Sequence, residues 1–310
     1  MIVCLNPRSC GGKGAHRWAV AEALLLKRRI TGTVIATENH HQLLERVREA
    51  FKCGEHYFVA AGGDGSVNAL LNSIMNIVPE ANRNEIVLGA IGLGSSNDFH
   101  KPYSPTSMVG EFPSRIDFAS ASPRDVGVLS FKENGITMTR YFLVNASVGL
   151  TATANYFFNV PDLLLHALKR TSTGSAIAYA SVRTILSFRN IVVTLQRDRR
   201  TNEEVNLTNL NILKSPHVSG SLTYPVHPEY DGGLFNCFLA RKMGVSDRLR
   251  LLASLMHGRI PSSSKLEHWT CSGLAIFSSI PFAVEFDGEI ATTAEVRFSV
   301  LPHHLQVCQC

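Results

Sequence analysis

The sequence predicts an α/β chain in two parts. A doubly wound, parallel-sheet domain is expected over residues 1–122, followed by a mostly antiparallel, β-rich domain over residues 123–310. Three observations carry this expectation. Up to about Asp117, short apolar runs alternate with segments of helical periodicity, the pattern of βα units. After it, β-branched and aromatic runs recur between turn residues, as in antiparallel sheets. Finally, three polar, glycine-rich segments each follow an N-terminal strand-like run, where open α/β sheets hold their ligands.

The elements follow in order. Ile2–Leu5 is a short apolar run closed by Asn6-Pro7, a turn signal. Ala15–Leu26 has helical spacing, Thr33–Thr37 is β-branched and short, and Gln42–Phe51 puts Leu43, Leu44, Val47 and Phe51 on one helical face. His56–Ala61 reads as a strand that ends at Gly62. Val67–Val78 is helical, with Leu70, Leu71, Ile74 and Val78 on one face, and Ile86–Ile91 is the next strand. In the second part, Val126–Phe131, Thr139–Ser147, Ile191–Gln196, Leu207–Leu213, Gly233–Ala240, Leu274–Phe277, Phe282–Phe286 and Ala294–Val300 read as strands. Helical stretches are expected at Leu163–Phe188 and Val245–Met256.

Composition sets the outer limits. With 310 residues, 45% hydrophobic and 18% charged, the chain is an ordinary globular sequence with enough length to bury a core. A net charge of +5 suits anionic partners such as nucleotides or acidic membrane surfaces. The densest basic spots, Lys27–Arg29 and Arg197–Arg200, are short and read as solvated element ends, so no nucleic-acid partner is expected. Seven scattered cysteines and the absence of a signal-peptide pattern point to a reducing, cytoplasmic compartment. Cys308-x-Cys310 reads as a frayed tail with free thiols. No apolar run reaches eighteen residues, the length needed to span a bilayer.

Five segments carry candidate chemistry. Gly62-Gly63-Asp64-Gly65-Ser66-Val67-Asn68 follows a strand and opens a helix, where glycines admit a phosphate to the helix N-terminus. Asp64 repels phosphate by itself; it makes sense holding Mg²⁺, a hydroxyl or a backbone amide, or else as the helix N-cap. Asn6-Pro7-Arg8-Ser9-Cys10-Gly11-Gly12-Lys13-Gly14 also suits phosphates, but it is no P-loop, because Gly14 stands where Ser or Thr is required. Gly92-Leu93-Gly94-Ser95-Ser96-Asn97-Asp98 lacks the third glycine of a dinucleotide fingerprint. Asp287-Gly288-Glu289 is either a solvated hairpin or, near a ligand, the source of a general base, and Asp231-Gly232-Gly233 offers Asp231 to Mg²⁺. No G-x-S-x-G elbow and no H-E-x-x-H spacing occurs, which disfavours serine hydrolases and zinc enzymes.

Taken in order, Asn6-Pro7-x-Ser9, Gly62-Gly63-Asp64-Gly65-Ser66-x-Asn68, Gly94-Ser95-Ser96-Asn97-Asp98-Phe99, Arg124-Asp125-Val126-Gly127, Phe142–Gly149, Asp231-Gly232-Gly233-Leu234 and Asp287-Gly288-Glu289 resemble the diacylglycerol kinase and sphingosine kinase family of lipid kinases. The resemblance implies an α/β nucleotide domain, a β-sandwich lipid domain, and ATP with Mg²⁺ as cofactors. By match, Asn6, Ser9, Gly62, Gly63, Gly65, Ser66, Asn68, Ser95 and Asn97 contact or shape the ATP site, with Thr37 a looser candidate. Glu289 matches the catalytic base, Asp64 the catalytic centre, Asp231 a structural Mg²⁺ turn, and Asp125 an acidic position near the active-site network. The chain departs from the family pattern at Ser66, Ala69, Ser95 and Cys10, where Thr, Glu, Thr and Gly are usual.

The expected reaction is transfer of the γ-phosphoryl group of ATP to a lipid hydroxyl, with transient peripheral membrane association. Pro161–Phe188, with Leu163, Leu164, Leu165, Leu168 and Ile185 beside Lys169, Arg170 and Arg183, is either an interfacial region or a pair of core helices. A homodimer is compatible with this reading, as is a C-terminus that returns to the first domain. Two alternatives stand beside it: a soluble-substrate kinase of the NAD kinase type, and a non-catalytic lipid- or nucleotide-binding module.

Overall fold

The computed structural model describes every residue except 160, 161, 163, 166, 167, 169–172, 199–201, 228, 229 and 310. It divides into two compact units, Met1–Val126 with Pro302–Cys310, and Gly127–Leu301. The chain therefore passes between units at residues 126/127 and again at 301/302, beside an expected boundary at 122/123 and a C-terminus that could return to the first part.

The first unit is built of βα repeats. Strand β1 (Ile2–Leu5) leads into helix α1 (Gly14–Lys27), which buries Trp18, Ala21 and Leu25. Strand β2 (Thr33–Ala36) leads into α2 (His40–Lys52), whose start is fixed by Asn39, its side chain accepting the Gln42 N–H at 3.0 Å. Strand β3 (Tyr57–Gly62) leads into α3 (Asp64–Ile77), and β4 (Val87–Gly92) follows. β3 and β4 are buried along almost their whole length, which explains their unbroken apolar sequence. All pairings are parallel in the order β2-β1-β3-β4.

Short strands β5 (Met108–Val109) and β6 (Phe112–Arg115) complete this unit, β6 running antiparallel to β4 at Ala90↔Arg115. The C-terminus is not frayed. Gln306 and Val307 pair in parallel with Val87 and Leu88, and the Cys308 N–H donates to the Leu88 carbonyl at 3.1 Å. Cys308 is fully buried; burial first, and Asp117 second, push its thiol pKa up to about 12. Cys310 lies outside the described residues.

The second unit wraps antiparallel strands around one apolar core. β7 (Ser122–Glu133) and β8 (Ile136–Phe142) form a hairpin, followed by β9 (Asn145–Gly149) and helices α4 (Leu150–Asn159) and α5 (Thr173–Ser187). Next come β10 (Ile191–Arg197), β11 (Glu203–Leu213), the small β12 (His217–Val218) and β13 (Leu222–Thr223), β14 (Phe235–Arg241) and helix α6 (Val245–Leu255). β15 (Leu266–Cys271), β16 (Gly273–Phe286) and β17 (Glu289–Val307) end the chain. β10 and β9 lie end to end between β11 and β16. Phe142 stacks on Phe235 with ring centroids 5.6 Å apart, so the β7–β8 hairpin and β14 face a shared core.

Two strand expectations change, and one helix is added. Thr139–Ser147 is broken into β8 and β9, because Leu143 and Val144 give their N–H groups to the Asp287 carboxylate instead of a ladder. Leu274–Phe277 and Phe282–Phe286 are one strand with a register shift between Phe277 and Phe282. α4 is a helix although it carries Thr151, Thr153, Tyr156, Phe157 and Phe158, residues of modest helix propensity. Leu163, Lys169 and Arg170 of the expected interfacial stretch lie outside the described residues, as do Arg199 and Arg200. Leu165 packs with Ala176 and Ala180 in a small cluster, which is the core-helix alternative for that part.

Candidate active site

In the first unit the strand order reverses direction between β1 and β3, the position at which open α/β sheets bind ligands. Three loops converge there. Asn6, just past β1, donates its backbone N–H to Ala61 and its side-chain Nδ2 to Ser66 Oγ at 3.1 Å. Its Oδ1 accepts the Arg8 N–H at 3.0 Å, turning the chain away from the strand. Gly62 is required because a Cβ there would lie 2.2 Å from Ser66 Oγ. Gly94 is required because a Cβ would lie 2.5 Å from the Gly63 Cα. The loops after β3 and β4 thus touch backbone to backbone.

Asp64 joins the same two loops. It is not the helix cap: Gly63 occupies the N-cap of α3, and the Asp64 Oδ1 accepts the Phe99 N–H at 2.9 Å. Phe99 is held from its other side by Arg115, whose Nε donates to the Phe99 carbonyl at 3.1 Å and whose Nη1 donates to the Cys308 carbonyl. The guanidinium also sits 5.3 Å from the centroid of the Phe99 ring. Arg115 is buried, and beside it His100 is kept neutral, its pKa lowered to about 3 by burial first and by Arg115 second. Arg115 is absent from the sequence reading, since nothing near it in the chain marks it out.

Asn97 adopts a left-handed φ of 50°. Its side chain accepts the Gly94 N–H at 3.1 Å and donates to the Gly94 and Gly92 carbonyls, so it shapes the loop from within. Asn68, buried on α3, accepts from Asn72 Nδ2 at 3.0 Å, and Thr37 follows β2 with its N–H on the Leu5 carbonyl. Gly65 lies in the first turn of α3, and Ser95 is exposed in the third loop. Ser9 Oγ is buried without a hydrogen-bond partner, a hydroxyl available to a ligand oxygen. Asp98 is paired with Lys101 at 2.6 Å, both largely buried.

In the second unit the Asp287-Gly288 turn joins β16 to β17. Asp287 is buried at a left-handed φ of 47° and accepts N–H groups from Leu143, Val144 and Asn145 at 2.8–3.0 Å. Glu285, also buried, accepts from Ser147 Oγ and from the Gly288 N–H, each at 2.8 Å. Both carboxylates are therefore structural. Glu289 is different: its side chain has an exposed surface, yet the surrounding protein desolvates the carboxyl and raises its pKa, with Arg140 drawing it back down. Of the two alternatives for this turn, a solvated hairpin does not describe Asp287, which is buried.

Asp231 stands in an exposed turn, and among the described residues no three His, Cys, Asp or Glu side chains gather to hold a metal ion. Asp125 belongs to the first unit, buried, accepting the His303 N–H at 3.1 Å.

Residues 1–123 match the family described as diacylglycerol kinase catalytic domain. The chain is 22% identical to a diacylglycerol kinase of Staphylococcus haemolyticus over 99% of its own length and 87% of the relative's. It is 23% identical to a diacylglycerol kinase of Bacillus subtilis, covering 80% of this chain and 76% of that one. A crystal structure of a diacylglycerol kinase from Bacillus anthracis shares the fold, with a TM-score of 0.66 at 15% identity, covering 100% of this chain and 96% of that one. The matched first 123 residues and these relatives together liken the chain to the diacylglycerol-kinase-like lipid kinases.

Proposed function

We propose that the protein transfers the γ-phosphoryl group of ATP to the hydroxyl of a lipid of the diacylglycerol or sphingoid-base class. The observation that carries this reading is the meeting of three glycine-bearing loops at the switch point of the first unit, with Asp64 bonded across two of them. The phosphates of ATP suit the close backbone approach at Gly62, Gly63 and Gly94 and the unpartnered Ser9 hydroxyl. Asp64 is the carboxylate of this cluster that would hold Mg²⁺, which when bound neutralises charge on the transferring group.

Glu289 is assigned as the base that accepts the proton of the acceptor hydroxyl. An alcohol is far too weak an acid to lose that proton beforehand, so the carboxylate acts as the proton leaves in the transition state. Desolvation raises the Glu289 pKa, against the pull of Arg140, and so makes it a stronger base than an ordinary carboxylate. A bilayer holds acceptors of this class. No helix among the described residues is long and apolar enough to cross one, so a peripheral encounter from the cytoplasm is part of the proposal.

The test is an acceptor panel. Purified protein with Mg-ATP is given diacylglycerol, monoacylglycerol, sphingosine, phosphatidylglycerol and NAD in parallel. A phosphorylated lipid is expected from at least one acceptor. Phosphorylation of NAD with none of any lipid would replace this reading by a soluble-substrate kinase, and nucleotide binding without turnover would reduce the chain to a binding module.

A further inference from the structure

Helix α6 has an apolar face wider than the surface it covers. Leu255 and Leu251 pack into a small core with Leu213, Val218, Tyr224 and Phe238. On the flank of that buried side, Val245, Leu249 and Met256 are 38%, 42% and 59% exposed. At about 100° per residue these three lie within roughly 40° of one another about the helix axis, so they form one stripe. Arg248 of the same helix donates to the carbonyls of Ile185 and Phe188, which fixes the carboxyl end of α5 against it. Leu186, at that end, is also exposed.

The surroundings of the stripe are basic. Lys242, Arg250 and Arg259 are exposed on or next to α6, and Arg189 is exposed just past α5. Asp247, the one acidic residue of the helix, is paired with Lys265 at 2.6 Å and with the Gly244 N–H, so it adds little outward negative charge. An apolar stripe with a cationic border is the pattern of a helix that lies in the headgroup layer of an anionic membrane. A second copy of the same face would bring like charges together.

We propose that the α6 stripe of Val245, Leu249 and Met256 is a docking face for an anionic lipid bilayer. This inference rests on the lipid-kinase reading for its purpose but not for its test. The full chain is mixed with vesicles of phosphatidylcholine alone and of phosphatidylcholine with one-third phosphatidylglycerol, at low and high salt, and bound protein is separated by flotation. Binding is expected to the anionic vesicles only, to weaken with salt, and to fall about tenfold or more in Leu249→Glu/Met256→Glu. Arg250→Glu/Arg259→Glu is expected to weaken it as well, through the charge alone.

Both pairs of substitutions are on exposed side chains, and circular dichroism checks the fold. Turnover of a short-chain, water-soluble acceptor should be the same in wild type and variants. Unchanged vesicle binding in Leu249→Glu/Met256→Glu would overturn the docking face while leaving the kinase reading intact. A wild-type dimer that this variant converts to monomer, with no vesicle binding by either, would also overturn it and assign the stripe to a second copy.

Discussion

Two carboxylate-bearing turns, Gly62–Ser66 in the first unit and Asp287–Glu289 in the second, look alike in sequence and are used differently. In the first, Asp64 reaches across to the Phe99 N–H of another loop, so the acidic group itself bridges two candidate phosphate-binding segments. In the second, the buried Asp287 is occupied by three backbone donors from a chain segment more than 140 residues away. The acidic residue assigned to chemistry there is its neighbour Glu289, whose side chain has an exposed surface and whose pKa is raised by desolvation. A buried carboxylate surrounded by amides builds structure; one that is desolvated but reachable is suited to move a proton.

That contrast can be broken in order of expected effect. Glu289→Gln and Asp64→Asn should each lower kcat by about 10²–10⁴-fold while leaving the thermal midpoint nearly unchanged. Steady-state kinetics beside a melting curve reads both. Asp287→Ala should do the reverse at the level of the fold: it strands three buried N–H groups and costs about 3–5 kcal/mol of stability, measured by denaturant unfolding. If Asp287→Ala leaves stability intact, the distinction between the two acidic residues of that turn fails.

Arg115→Ala sharpens the first-unit side. It removes the donors to Phe99 and Cys308 and so loosens the loop that Asp64 holds. A rise of about tenfold in the KM for ATP, larger than the fall in kcat, is the expected split. The same loop carries a pH signal through His100. Its folded pKa of about 3 lies below the ordinary value of 6.5, so between those values the unfolded state binds more protons. Stability from this group is complete above pH 6.5 and is lost as pH falls toward 3. A pH series of unfolding curves should show that slope, shallower in His100→Gln.

The smallest effect concerns Cys10. It holds a left-handed φ of 53°, beside Gly11 and Gly12 at 66° and 91°. A Cβ is costly in that conformation, so Cys10→Gly should be neutral or stabilise the fold slightly, by up to about 1 kcal/mol, with its altered unfolded-state entropy offsetting part of the gain.

The legible part of this molecule is local. A strand, a glycine turn and a helix start are adjacent in sequence, so Gly62–Asn68 and its companion loops are legible from the residues alone, and their order along the chain carries the family resemblance. What was hidden depends on distant partners. The role of Asp64 as a bridge needs Phe99, 35 residues on, and Arg115 acquires its role only from Phe99 and Cys308. The tail looked frayed because its two cysteines and histidines show no pattern of their own; its order comes from pairing with β4. The break between β8 and β9 was invisible for the same reason, since Asp287 causes it from the far end of the chain. α4 was missed because packing outweighs the weak helix propensity of its Thr and aromatic residues.

The most direct measurement follows the γ-phosphate. Wild type and Glu289→Gln are incubated with ATP labelled at that position, Mg²⁺ and a short-chain diacylglycerol in solution, and label in the lipid is counted over time. Wild type should place label on the acceptor hydroxyl, and Glu289→Gln, with its fold intact, should do so at least about 10²-fold more slowly. Equal rates in the two proteins, or no label in any lipid acceptor, would contradict the proposed phosphoryl transfer.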